Sequence, residues 1–151
     1  MRYVPVIFLV FISACTLHYP PRTETINQFS IATVESYEKI GTAEINNIIE
    51  QAIANGETWP HSPALIAFKT SGGDQEIRTY HLWQEANRAE NPDIIESILI
   101  RDGFLDDSVR GDWHKFTFTK EPDNTWRVVK LQKAFRCWRQ DPDLYRAGPC
   151  L

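Results

Sequence analysis

Residues 113–119 read Trp113-His114-Lys115-Phe116-Thr117-Phe118-Thr119, and residues 126–138 read Trp126-Arg127-Val128-Val129-Lys130-Leu131-Gln132-Lys133-Ala134-Phe135-Arg136-Cys137-Trp138. Between them stands the turn sequence Glu121-Pro122-Asp123-Asn124. His114, Phe116 and Phe118 alternate with other residues, the period of two that sets them on one face of a strand. The second run predicts a long final strand, with Val129, Leu131, Phe135 and Cys137 on one face and Val128 opposite. Two strands around a short polar turn make an antiparallel hairpin, and the fold is read outward from it.

Upstream, residues 94–101 form another β-branched apolar run that Asp102-Gly103 ends. Residues 64–70 and 76–83 flank Ser71-Gly72-Gly73-Asp74, which predicts a second hairpin. Residues 85–93 are polar and read as a loop or short turn. Ile45, Ile48, Ile49, Ala52 and Ile53 recur at three- and four-residue steps, with Thr42 as a cap and Gly56 just past the end. This is the clearest helix in the chain. Ile26, Phe29, Thr33, Tyr37 and Ile40 predict an earlier helical segment, against which the β-branched Ile31, Thr33 and Val34 weigh. The expected class is α+β, with N-terminal helical segments packed on an antiparallel sheet of about five strands.

The 151-residue chain opens with Arg2, an apolar run over residues 3–12, the small Ser13 and Ala14, and Cys15. A positive start, a short apolar stretch and small residues at the cut make a secretory signal. The run is half the roughly twenty residues that cross a bilayer. Ile12-Ser13-Ala14-Cys15 resembles the lipobox of bacterial lipoproteins, an aliphatic residue and two small ones before cysteine. The resemblance implies a diacylglyceryl group on Cys15, cleavage before it, and acylation of the new amino terminus. Residues 1–14 are then a removed signal, residues 15–25 the lipidated cysteine and its tether, and residues 26–151 one globular domain. In that family an aspartate after the cysteine retains a protein at an inner membrane. Thr16 stands here, which implies the outer membrane facing the periplasm where an envelope has two.

The chain carries 16 Lys+Arg against 20 Asp+Glu, and the signal removes Arg2 alone. An acidic balance of this kind argues against nucleic acid as a partner. With Cys15 committed to lipid, Cys137 and Cys150 remain as an even pair, which in an oxidising envelope reads as a disulfide. Closing a loop of that size is worth about 3 kcal/mol.

Four aspartates, Asp102, Asp106, Asp107 and Asp112, fall within residues 102–112. Oxygen-rich loops can bind Ca²⁺, but the order does not follow the EF-hand spacing, and Arg101 and Arg110 stand ready to pair with the acids. The run therefore reads as a structural connection, and no metal or cofactor is expected. Residues 103–150 are similar to small uncharacterised bacterial envelope proteins with an Asp-Asp-Ser-Val segment, a Trp-Val strand and a Cys-Trp…Cys ending. That similarity implies no activity.

For nucleophilic chemistry, Ser62 or Ser108 with His61, His81 or His114, or Cys137 with His81 or His114, are the combinations on offer. No Gly-x-Ser-x-Gly frame accompanies them. Of the five tryptophans at least three should be core, and Trp138 flanked by Arg136 and Arg139 is the best exposed recognition edge. The expected function is a membrane-anchored periplasmic binding or structural module, held by membrane lipid through Cys15, with an envelope protein or peptidoglycan as partner. The alternative is an envelope hydrolase that uses His61 or His114.

Overall fold

The computed structural model describes residues 32–72, 76–141 and 143–150. The signal, Cys15, the tether, and Ile26, Phe29 and Ile31 of the expected first helical segment lie outside the described residues.

The chain runs β1 (Thr33–Val34), β2 (Glu38–Ile40), α1 (Ala43–Ala54), a 3-10 turn (Trp59–His61), α2 (Pro63–Thr70), β3 (Thr79–Ala86), β4 (Ile94–Asp102), β5 (Val109–Lys120), β6 (Trp126–Cys137) and β7 (Leu144–Tyr145). Strands β2-β6-β5-β4-β3 make a five-stranded antiparallel sheet, and β1 pairs in parallel with β7. The class is α+β, as expected, but the helices are not N-terminal: the described part of the first segment is β1 and β2. The β-branched Thr33 and Val34, which are awkward in a helix, prevail.

Residues 64–70 are a helix, not a strand. Leu65, Ile66, Ala67 and Phe68 form a short apolar run, and periodicity alone does not separate a buried helix from a strand at that length. What decides is Ser62, whose hydroxyl accepts the Leu65 N–H at 3.4 Å, with Pro63 in the first helical turn. Residues 76–83 therefore have no hairpin partner before them. Instead β3 pairs with β4 from Thr79↔Asp102 to Ala86↔Ile95 and reaches into the stretch expected as a loop.

The central hairpin forms with Phe116 opposite Leu131 and Phe118 opposite Val128. The parity of β6 differs from the sequence expectation. A bulge between the pairs Thr117↔Lys130 and Phe118↔Val128 inserts one residue, so Val128 and Leu131 share the inner face while Val129 is 49 % exposed. On that face Phe116, Phe118, Trp126, Val128 and Leu131 pack against Ile49 and Ala52 of α1, Trp59, and Ile66 and Ala67 of α2. The reverse face carries a second core of Ile100, Trp113, Ala134 and Tyr145, which β1 covers through Val34.

α1 docks through a polar contact. Its buried residues are Asn46, Ile49 and Ala52, so the inward face includes a polar residue, and Ile48 and Ile53 of the expected apolar face are partly exposed. The Asn46 side chain donates to the Val128 carbonyl and accepts the Val128 N–H, both at 2.9 Å. β2 pairs only with residues 131–133 of β6, so Asn46 takes a strand's place at Val128. Thr42 gives no side-chain cap; its carbonyl accepts the Asn46 N–H at 3.0 Å. Replacing Asn46 with Ala leaves a buried N–H and C=O without partners, which should cost about 2–4 kcal/mol. A urea midpoint that falls with unchanged slope checks this; an unshifted midpoint contradicts the docking role.

Candidate functional site

Arg101 on β4 lies directly opposite Asp112 on β5, and both are buried. The guanidinium is bidentate: Nε donates to Oδ1 at 2.9 Å and Nη2 to Oδ2 at 2.5 Å. Its remaining Nη1 donates to the Gly72 carbonyl at 2.9 Å, just past the end of α2. One row along, Leu99, His114 and Lys133 line up across β4, β5 and β6. His114 Nε2 is 3.7 Å and Lys133 Nζ is 4.0 Å from Asp112 Oδ2. Lys133 also lies over the Phe135 ring at 4.7 Å.

Arg101, Asp112, Lys133 and Phe135 line one side of a cavity of about 530 Å³. Ser71 and Glu76, after α2, and Phe104, Leu105 and Asp106, from the loop between β4 and β5, make its walls. The loop is tightly held. Gly103 and Phe104 N–H both donate to the Arg110 carbonyl, at 2.8 and 3.0 Å. Gly103 has φ +81°, and a Cβ there would meet Arg78 Cβ at 2.5 Å. The Asp106 carboxylate accepts the N–H groups of Val109 and Ser108, each at 2.7 Å, and these bonds hold its pKa below the ordinary carboxylate value. Trp138 fastens the loop from outside: its indole N–H donates to Asp106 O at 3.0 Å and its backbone N–H to Ser108 O at 2.9 Å, while Arg110 stacks on its ring. Cys137, the residue before it, is joined to Cys150.

Compared with protein-family models, curated proteins and solved structures, the chain matches none. Its chemistry is therefore read from these side chains alone.

The expected recognition edge is divided. Arg136 forms ion pairs with Asp102 and Asp143, at 3.4 and 3.3 Å, and lies over Tyr145 on the reverse face. Trp138 is half exposed and bonded to the loop, and Arg139 is exposed. Trp59, Trp113 and Trp126 are core, while Trp83 on β3 is exposed. The histidines are scattered. His61 bonds the Asn124 carbonyl at 3.1 Å in the β5–β6 turn, His81 is exposed on the edge strand β3, and His114 is buried. The Ser62 hydroxyl caps α2 and the Ser108 hydroxyl sits 3.3 Å from Asp107. Cys137 has no thiol to offer, which removes it as a nucleophile. The aspartates are also engaged, Asp102 with Arg110 and Arg136 and Asp112 with Arg101. No group of three potential metal ligands occurs among the described residues.

The sequence reading missed the cavity residues Lys133, Ser71 and Glu76. The one available signal was Arg101 and Asp112 bracketing the loop, which pointed to Arg–Asp pairing without placing it. A second cavity of about 490 Å³ lies between α1 and α2, against Ile48, Trp59, Leu65 and Phe68, and has no buried charge.

Removing one partner of the Arg101–Asp112 pair strands a buried charge, so Arg101→Met should cost about 3–5 kcal/mol. The double variant Arg101→Met/Asp112→Leu should lose far less than the sum of the singles. Additive losses in urea unfolding would contradict coupling of the pair. His114 gives a second test. Burial, then the nearby cations Lys133 and Arg101, outweigh Asp112 and lower its pKa from 6.5 to about 4. Between those values the unfolded chain binds more protons than the fold. The stability that neutral His114 contributes is therefore complete above pH 6.5 and is lost as pH falls toward 4, by on the order of 3 kcal/mol. Urea midpoints from pH 7 to 4 should show this slope, and His114→Gln should flatten it.

Proposed function

We propose that the chain is a lipid-anchored envelope protein whose folded domain is a binding module, with the cavity over Arg101, Asp112 and Lys133 as its ligand site. The observation that carries the binding reading is the buried Arg101–Asp112 pair, with the partly exposed Lys133 beside it, in the lining of an open cavity of about 530 Å³. Cavities of this size with a few convergent polar groups are the usual form of a small-molecule site. A loop pinned by Trp138 and the Asp106 turn keeps the walls in place without a ligand, which limits the ordering cost of binding.

Ile12-Ser13-Ala14-Cys15 supports the anchor, and no described helix is long and apolar enough to cross a membrane. β1 lies against the reverse face of the sheet, beside Tyr145 and Trp113, whereas the Arg101–Asp112 side of the cavity belongs to the helix-covered face.

The hydrolase reading draws no support from the placement of His61 and His114: the His61 ring bonds the Asn124 carbonyl, the neighbouring Ser62 hydroxyl accepts the Leu65 N–H, and the His114 ring lies by Asp112 and Phe116.

Acyl-chain labelling in a lipoprotein-processing host should mark the wild type and leave Cys15→Ser unmarked; equal labelling removes the anchor. A photo-crosslinking residue in place of Leu105, which is 84 % exposed at the cavity wall, should capture an envelope component from intact cells. The same residue at the exposed Val129, outside the cavity, should not. Equal capture at both positions, or none, removes the binding reading.

A further inference from the structure

We propose that β3 is the pairing edge of a reversible homodimer. Two copies join their β3 strands antiparallel about a two-fold axis at Trp83 and so continue one sheet across both.

The two edges of the five-stranded sheet are unlike. β2 is short, Glu38–Ile40, and carries Lys39. Beyond it, Asn46 occupies the β6 backbone at Val128. Short strands and lysines are common guards of a sheet edge. β3, at the other edge, has neither guard. It runs from Thr79 to Ala86, contains no lysine or proline, and pairs with β4 along its whole length without a register shift. No strand lies on its outer side among the described residues. The Asn87 N–H donates to the Ile94 carbonyl at 3.1 Å, which fixes the alternation of the ladder. His81, Trp83 and Glu85 therefore bond inward to β4, while Tyr80, Leu82, Gln84 and Ala86 turn their N–H and C=O groups outward.

The side chains make this edge complementary to itself. Leu82, 43 % exposed, stands opposite Leu99 on the helix-covered face, and Trp83, 40 % exposed, stands opposite Ile98 on the reverse face. Glu85 stands opposite Glu96, a like charge, and Lys115 pairs with Glu96 at 2.8 Å. Neither Glu85 nor His81 has an ion pair or hydrogen bond to its side chain among the described residues. In a two-fold antiparallel pair, opposed residues share a face, so even positions meet even and odd meet odd. Centring the axis on Trp83 meets that condition. It sets His81 against Glu85 twice, Leu82 against Gln84, and Tyr80 against Ala86. The imidazole N–H then donates to the carboxylate that lacks a partner. Every outward-turned residue faces another, and each such pair exchanges two main-chain bonds. The two Trp83 side chains form a non-hydrogen-bonded pair, the closer kind, and bring aromatic surface to the centre of the interface. Tyr80, backed by Phe68 of α2 at 5.2 Å, meets only the small Ala86. Centring on Leu82 instead opposes Thr79, not His81, to Glu85. Residues 80–86 of each copy are fewer than the roughly twenty a side of a stable interface, so the pairing is concentration-dependent.

The test combines sedimentation of the full-length chain in detergent with cysteine crosslinking. The crosslinking variants carry Cys15→Ser, so that no native thiol lies outside the Cys137–Cys150 bond. The wild type should shift from monomer to dimer as concentration rises. Leu82→Lys, which places a guard on the edge, should raise the dissociation constant by about tenfold or more. Opposed residues of a non-hydrogen-bonded pair have Cα atoms about 4.5 Å apart, within disulfide range. Trp83→Cys should therefore join to itself on mild oxidation. His81→Cys and Glu85→Cys should join to each other when mixed, and neither should join to itself. Val129→Cys, exposed on β6, is the control for random collision. Thermal melts show that each variant is folded. A wild type that stays monomeric at every soluble concentration overturns the proposal and leaves the edge to a strand of some other protein. A dimer that Leu82→Lys does not weaken, or Trp83→Cys joining no faster than Val129→Cys, overturns it as well. So does His81→Cys or Glu85→Cys joining to itself as readily as to the other.

Discussion

The Arg101–Asp112 pair is the contact on which the rest of the cavity depends. An ion pair this deep gives up the hydration of both charges and regains it only with good geometry and every donor used. Here the geometry is bidentate, and the third guanidinium nitrogen reaches Gly72 O. One side chain therefore joins β4, β5 and the exit from α2. Replacing the pair with hydrophobic residues would leave the sheet paired but would release the segment that carries Ser71. The pair also sets the electrostatics beside it. The same carboxylate, bidentate on Arg101, stands 4.0 Å from the Lys133 ammonium, and it favours a cation on His114 less than burial disfavours one. Stability and the charge presented to a ligand thus come from one contact.

Asn46 does corresponding work at the opposite end. β6 has twelve residues, but β2 covers only three of them, so the backbone of Val128 would be buried with nothing to bond. An asparagine on α1 supplies both partners and so ties helix to strand at one register. This explains why the inward face of α1 includes a polar residue beside Ile49 and Ala52. The β6 bulge has the same logic. It returns Leu131 to the inner face after Val128, so that both Phe116 and Phe118 have apolar partners.

These contacts mark the boundary of what was legible in the chain. Alternation of His114, Phe116 and Phe118 and the Glu121-Pro122-Asp123-Asn124 turn are local signals, and the hairpin followed from them. The joining of Cys137 to Cys150 was legible from their number once Cys15 was assigned elsewhere. The parity of β6 was not, because a bulge is decided by what lies across the sheet. Nor was α2, where a four-residue apolar run suits either state and only the Ser62-Pro63 start tells them apart. The cavity was least legible of all. Ser71 and Glu76, Arg101, and Lys133 come from three separate stretches, and only strand register and the Gly72 contact bring them together.

The Cys137–Cys150 bond and Trp138 acquire their meaning from that cavity. Alone, a disulfide near the C-terminus reads as a staple for a tail that has little structure of its own. But Cys137 ends β6 and Trp138 follows at once, with its indole and its backbone both bonded to the loop that carries Leu105 and Asp106. Constraining Cys137 therefore constrains Trp138, and Trp138 constrains the cavity wall. Arg110, stacked on the same indole and paired with Asp102, closes the connection back to the strand that bears Arg101. The aromatic and basic residues that read from sequence as an exposed docking edge are better understood as the outer support of a site on the other side of the loop. A ligand would meet the surface they hold in place, and their own faces would remain in water.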